Sequence, residues 1–336
     1  MLHRLLAVFL LIILPLDSYA GASVSHTAKF EILNQYVEVN AGQLKGIPLS
    51  VRVGDHLKVH AQVLNQKKYN DIDLFVCTER DLQLFQAGRQ SNCQGANRWR
   101  GEFSYTYDIN SNAPYYLLIN NSFSLILKKK LNVDVTVTRD FEENFRTQLE
   151  QGLTTWNDQI IQSFKVQPFD VSIAPCGTKN AYSESRTGNI RICTEMVFDL
   201  IRRDFTNAMD GVLYHELGHT LLNLWGLPGW NSEETVDEFA IVMLYWAGAQ
   251  EKAMDWINFN LAADSVNEAN LMLHQGSRHP LSIQRARNAK EILRNPGPVI
   301  QRWNKLLYPK MTRYGLKKIL EIAPRYADKE LIQELR

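Results

Sequence analysis

The chain has 336 residues, with 37 Lys and Arg against 36 Asp and Glu, and 45% of it is apolar. That length carries two domains, and a net charge of +1 excludes the strongly basic surface of a nucleic-acid-binding protein. There is no internal repeat and no low-complexity segment, so the composition is that of a folded globular protein.

Residues 1–20 read as a secretory signal. His3 and Arg4 form the polar start, Leu5 to Leu16 the apolar core, and both Ser18-Tyr19-Ala20 and Ala20-Gly21-Ala22 offer small-residue cleavage sites. The apolar run falls short of the roughly 20 residues that span a bilayer. The mature chain is therefore expected in the periplasm or the medium, with no stable membrane insertion after cleavage. Its four cysteines, Cys77, Cys93, Cys176 and Cys193, suggest two disulfides in such a compartment. Their spacing favours Cys77–Cys93 and Cys176–Cys193 and matches no structural zinc site.

Residues 28–138 predict an antiparallel β-sandwich. Val51-Arg52-Val53, Leu57-Lys58-Val59, Ile72 to Val76 and Val133 to Val137 alternate apolar and polar, and Tyr115 to Ile119 is a continuous apolar strand. By this pattern Asp71 and Asp73 face solvent, and Lys128-Lys129-Lys130 is a solvated strand edge.

Residues 140–336 predict an α+β domain with a helical C-terminal part. Phe141, Phe145, Leu149, Leu153, Trp156 and Ile160 trace an amphipathic helix. Strands follow at Asp170–Ala174 and Asn189–Cys193. The next helix carries His215-Glu216-Leu217-Gly218-His219 among Val212, Leu213, Leu217, Leu221 and Leu222, and Gly226-Leu227-Pro228-Gly229 stops it. Two His at i and i+4 stack on one helix face and can share one Zn²⁺. The Glu between them can take a proton from an attacking water and return it to a leaving amine. Gly218 marks a close approach, expected from a strand. A catalytic zinc needs a third ligand, and no His follows until His274. The helix beginning at Glu233, with Asn231 or Ser232 as N-cap, supplies carboxylates instead. Glu233 and Asp237 share one face and suit a ligand and a partner that orients a ligand His. Glu234 and Glu238 offer the same spacing one step round. The last tail breaks fall near Gly276–Pro280 and Asn295–Pro298.

H-E-x-x-H followed by E-x-x-x-D resembles the gluzincins, the class that includes thermolysin. The resemblance implies that His215, His219 and Glu233 hold zinc, Glu216 is the general base and Asp237 supports a ligand His. A closer resemblance, over about residues 140–310, is to a bacterial family known only as candidate metallopeptidases of unknown function. It rests on Cys176-Gly177, Asn180-Ala181-Tyr182, Ile190, Cys193 and Glu195, the H-E-L-G-H run, Glu233-Glu234-x-x-Asp237 and His279-Pro280-Leu281-Ser282-Ile283-Gln284-Arg285. His279 and Arg285 also resemble the His-Pro-x-x-x-x-Arg element of a group of integral-membrane peptidases. That implies an oxyanion-stabilising His279, with Arg285 beside it or pinning local structure. The expected protein is a zincin-like zinc metallopeptidase acting on a peptide or protein substrate. A catalytically silent binding protein and a zinc hydrolase of non-peptide amides or esters share the same motif. In the peptidase reading, the strand ending near Cys193 pairs with extended substrate.

Overall fold

The computed structural model describes residues 21–65, 69–262 and 282–335. The chain divides into two compact units. His26–Phe141 with Pro175–Thr178 forms one, and the flanking sequence forms the other. The signal at 1–20 and His279 lie outside the described residues.

The first unit is a sandwich of two antiparallel four-stranded sheets. One has the order β2 (Thr27–Val39), β9 (Lys129–Asp140), β4 (His56–Val63), β7 (Glu102–Asp108). The other runs β3 (Leu44–Leu49), β8 (Tyr115–Asn120), β5 (Asp71–Thr78), β6 (Gln94–Arg100). Alternate residues of both sheets fill one core. Val59, Ala61, Val133 and Val135 come from the first, Ile72, Leu74, Leu117 and Ile119 from the second. In β4 and β9 the period-2 pattern is also the burial pattern.

It is not so in β5, whose six central residues are all buried. Helix α1 (Glu79–Gln86) lies over its outer face and forms a second small core of Phe75, Cys77, Leu82 and Leu118. Thr78 caps that helix by accepting from Asp81 N, and Cys77 is bonded to Cys93. All four cysteines are disulfide-bonded, which leaves Cys176 with Cys193.

Three sequence expectations fail here for stated reasons. Val51-Arg52-Val53 is a turn, not a strand. Arg52 N donates to the buried carboxylate of Asp55, which Arg139 also clamps through Nε and Nη2, both at 2.7 Å. Asp73 is only 6% exposed and accepts from Arg98 N and Asn120 Nδ2 at 2.6 and 2.9 Å. Lys129 is 2% exposed. It occupies the first inward position of β9, in phase with Leu131 and Val133, and its ammonium meets Asp71 Oδ1 and Tyr69 O, both at 2.7 Å. A buried ion is tolerated where it is paired and hydrogen-bonded, so the middle lysine of that run belongs to the core.

The second unit holds the sheet β1 (Ala22–Val24), β10 (Val171–Ala174), β12 (Ile190–Cys193), β11 (Ala181–Ser183), in that order. The first three strands run parallel and β11 is antiparallel to β12. Ala22–Val24 thus forms an edge strand, which sequence periodicity did not register because three residues are too few. Helix α2 (Glu143–Ser163) buries Phe145, Leu149, Leu153, Trp156 and Ile160, the predicted stripe. After α3 (Thr194–Arg202) come α4 (Ala208–Leu224), α5 (Glu233–Trp246) and α6 (Gln250–Leu261). The tail adds α7 (Ser282–Arg294), α8 (Pro296–Leu307), α9 (Arg313–Ile322) and α10 (Lys329–Leu335). Pro296 begins α8, where its missing N–H costs nothing. No described helix is long and apolar enough to cross a membrane.

Helix α4 is buried on nearly every side, which requires small residues where neighbours cross it. A Cβ on Gly218 would come within 3.0 Å of Val236 and 3.1 Å of Phe239. The close neighbour of Gly218 is therefore helix α5, not a strand. A Cβ on Gly211 would meet Trp256 of α6 at 2.3 Å. Gly211→Ala should consequently lower the unfolding temperature by a few degrees. Overpacking costs about 1–3 kcal/mol, which outweighs the roughly 1 kcal/mol of helix propensity gained. A thermal melt at or above wild type would contradict this crossing.

Candidate metal centre

Helix α4 presents His215 and His219 one turn apart, and both rings point toward the N-terminus of α5. Loop 225–232 makes that approach possible, with Gly226 and Gly229 in left-handed conformations at φ +64° and +85°. Ser232 then caps α5 by accepting from Thr235 N at 3.3 Å. The first residue of the capped helix, Glu233, is buried and faces the two rings. Glu234 faces outward to Asn288, and Glu238 is engaged by Arg302 and Trp303.

Three side chains converge. His215 Nε2 lies 3.2 Å from Glu233 Oε2, His219 Nε2 lies 3.5 Å from Glu233 Oε1, and the two Nε2 atoms are 3.3 Å apart. A tetrahedral zinc with arms of about 2.0–2.1 Å has edges of about 3.3 Å between its ligands. The donor set and its spacing thus fit such an ion.

Each ring is held from behind. His215 Nδ1 donates to Asp237 Oδ1 at 2.8 Å, and His219 Nδ1 donates to Trp230 O at 2.6 Å. In the neutral, metal-binding form of both rings, with Nδ1 carrying the proton, the Nε2 lone pairs face each other and Glu233. The Trp256 ring packs against His215 at 6.3 Å between centroids.

Arg285, on α7, reaches the same place from the tail. Its Nε donates to Asp237 Oδ2 at 2.9 Å and its Nη2 to Oδ1 at 2.7 Å, while Nη1 lies 3.4 Å from Glu233 Oε2. This two-toothed grip answers the question left open by the sequence. Arg285 pins Asp237 rather than standing free beside the site, and His279, its expected companion, lies outside the described residues.

The charges of this cluster reinforce one another. Burial works against the ionised forms of Asp237 and Glu233. Arg285 and His215 hold Asp237 low, and the two imidazoles with Arg285 hold Glu233 low. Burial and Arg285 press His215 down, but its bonds to Asp237 and Glu233 prevail and push it up to about 9. Glu216 is buried and is not one of the three converging groups. Burial raises its pKa above the ordinary carboxylate value, against the pull of His215, His219 and Arg285.

One sheet edge is tied to this helix. Thr220, the residue after His219, donates to Gly188 O at 3.0 Å and shares a 2.7 Å hydroxyl contact with Ser183 of β11. β12 is flanked by β10 and β11, so the strand ending at Cys193 has no open edge for substrate. The open edge beside α4 is β11, with Tyr182 exposed.

The H-E-x-x-H helix and the carboxylate of the following helix bring together three groups that could hold one metal ion. Residues 137–292, which include all of these groups except Arg302 and Trp303, match the model of the DUF4344 family, described as "Putative metallopeptidase". This agrees with the resemblance carried by the sequence motifs. No curated protein matches the chain. Among solved structures, the periplasmic inhibitor of g-type lysozyme from Aeromonas hydrophila is similar at 11% identity, over 35% of this chain and 96% of its own, with a TM-score of 0.23. FLHE is similar at 14% identity, over 35% of this chain and 100% of its own, with a TM-score of 0.24. A functionally unknown conserved protein from Bacillus anthracis str. Ames is similar at 11% identity, over 90% and 81%, with a TM-score of 0.21. Likeness at these scores carries no inference about this chain.

Proposed function

We propose that this chain is an exported zinc-dependent peptidase that hydrolyses peptide bonds with water, His215, His219 and Glu233 holding the metal and Glu216 acting as general base. The observation that carries this reading is the triangle of His215 Nε2, His219 Nε2 and a Glu233 carboxylate, with edges of 3.2–3.5 Å and with both Nδ1 atoms already committed. Zinc, when bound there, polarises the scissile carbonyl and acidifies water.

The chain's own groups do the rest. Glu216 accepts the proton of the attacking water on a carboxylate oxygen, and its burial makes it a stronger base than a free glutamate. It then passes the proton to the departing amide nitrogen. Asp237 and Trp230 O keep the imidazoles in register through this exchange, and Arg285 keeps Asp237 in place. The open edge of β11 offers backbone groups to an extended peptide, which supports a peptide as substrate. Two disulfides support an oxidising, exported setting. Cleavage after Ala20 would leave β1 whole, and Gly21 N would remain 2.8 Å from Asp170 Oδ1; cleavage after Ala22 would cut into that strand.

The purified chain is expected to hold about one zinc, and His219→Ala to lose it. Glu233→Ala should weaken zinc far more than Glu234→Ala. Elemental analysis beside cleavage profiling on a proteome-derived peptide library tests both halves of the proposal. Stoichiometric zinc in His219→Ala would sink the ligand set. Zinc without cleavage of any peptide, in a chain that hydrolyses amides or esters or only binds, would sink the substrate.

A further inference from the structure

The turn between β8 and β9 carries the two most exposed large apolar side chains among the described residues, Leu125 at 93% and Ile126 at 86%. Full burial of either would stabilise the fold by about 1.5–3 kcal/mol, yet the turn is built to hold them out. Asn121 is fully buried beneath it and donates from Nδ2 to Val39 O, Asn40 O and Leu127 O at 3.2, 3.1 and 2.9 Å. Gly42 N donates to Ser124 O at 2.9 Å. The Ser124 hydroxyl donates to Leu127 O and accepts from Leu127 N, both at 3.1 Å.

At the base of the turn Lys128 and Lys130 are half-exposed and have one carboxylate, Glu38, between them. Leu64, bonded through its N–H to Lys130 O, is exposed beside them. The apolar tip is therefore rigid, convex and rimmed by positive charge.

That shape chooses between partners. A stable protein interface takes about 800 Å² from each side and a complementary surface, which two protruding side chains do not provide. A bilayer needs no matching cavity and receives apolar side chains to a depth of about 5–10 Å. We propose that this turn docks the protein on a lipid surface bearing anionic headgroups, with Leu125 and Ile126 entering the acyl boundary and Lys128 and Lys130 meeting headgroup phosphates. The contact is peripheral and independent of the zinc chemistry.

The test uses the full exported chain with phosphatidylcholine vesicles, with and without phosphatidylglycerol. Wild type should sediment with the anionic vesicles, less so as salt rises. The Leu125→Ser, Ile126→Ser double variant should lose at least about 10-fold in partitioning at an unchanged unfolding temperature. Lys128→Gln with Lys130→Gln should lose about 5- to 30-fold. A bimane attached at Leu125→Cys reads the turn itself, whatever the N-terminal apolar stretch does, and should shift to the blue when vesicles are added. Wild type left in the supernatant, equal partitioning by the double serine variant, or a bimane blind to vesicles would each overturn the proposal. So would a concentration-dependent dimer that the double serine variant abolishes, since the tip would then serve a second copy of the chain.

Discussion

Glu216→Gln is expected to keep its zinc and to lower peptide hydrolysis by roughly 10²–10⁴-fold, the usual contribution of a positioned general base. The amide has the size and shape of the carboxylate, and Glu216 stands outside the triangle formed by His215, His219 and Glu233. Metal content and unfolding temperature should therefore hold while turnover collapses. The variant also loses a buried carboxylate whose ionisation burial opposes, so its stability should not fall below that of wild type. Single-turnover assays with matched zinc content make the comparison. Wild-type rates in the glutamine variant would remove Glu216 from the chemistry.

Arg285→Met is expected to damage both the fold of the site and its metal. Asp237 is buried, and its two oxygens receive three donors: Arg285 Nε, Arg285 Nη2 and His215 Nδ1. Removing the guanidinium leaves a carboxylate in low dielectric with a single partner. Breaking a buried pair in this way costs about 3–5 kcal/mol, and loosening the group behind a metal-ligating His weakens metal by about 10- to 100-fold. Arg285→Lys should recover little of either, because one ammonium cannot make two parallel bonds to a carboxylate. Competition with a fluorescent chelator, beside thermal unfolding, reads both effects. Wild-type zinc affinity in Arg285→Met would show that Asp237 holds His215 unaided.

Much of this site could be read from the chain itself, because its chemistry obeys helix periodicity. His215 and His219 are one turn apart, as are Glu233 and Asp237, and Ser232 marks where the second helix begins. The remaining supports have no such signature. Trp230 contributes a backbone carbonyl, which every residue possesses. Arg285 lies 48 positions from Asp237, and only the packing of α7 against α5 joins them. In the sandwich, alternation located most strands but misjudged Asp73 and Lys129. A period of two tells which residues share a face and not whether that face is covered. Helix α1 covers part of the outer face of β5, and the inward row of β9 begins on a lysine because Asp71 and Tyr69 O are there to receive it.

The pairing of β1 with β10 also sets an order of events during synthesis. Val24 must wait for Ile173, which leaves the ribosome about 150 residues later, and closing so long a loop is entropically costly. The sandwich lies between them and can fold first. Its outermost strand pair brings Thr27 opposite Asp140, so once it has formed, the two halves of the parallel sheet are joined by a shorter effective tether. By the logarithmic law of loop closure that shortening, to roughly a quarter of the length, lowers the entropic barrier by about 1 kcal/mol. The sandwich unit thus acts as a folding clamp for the unit that holds the parallel sheet.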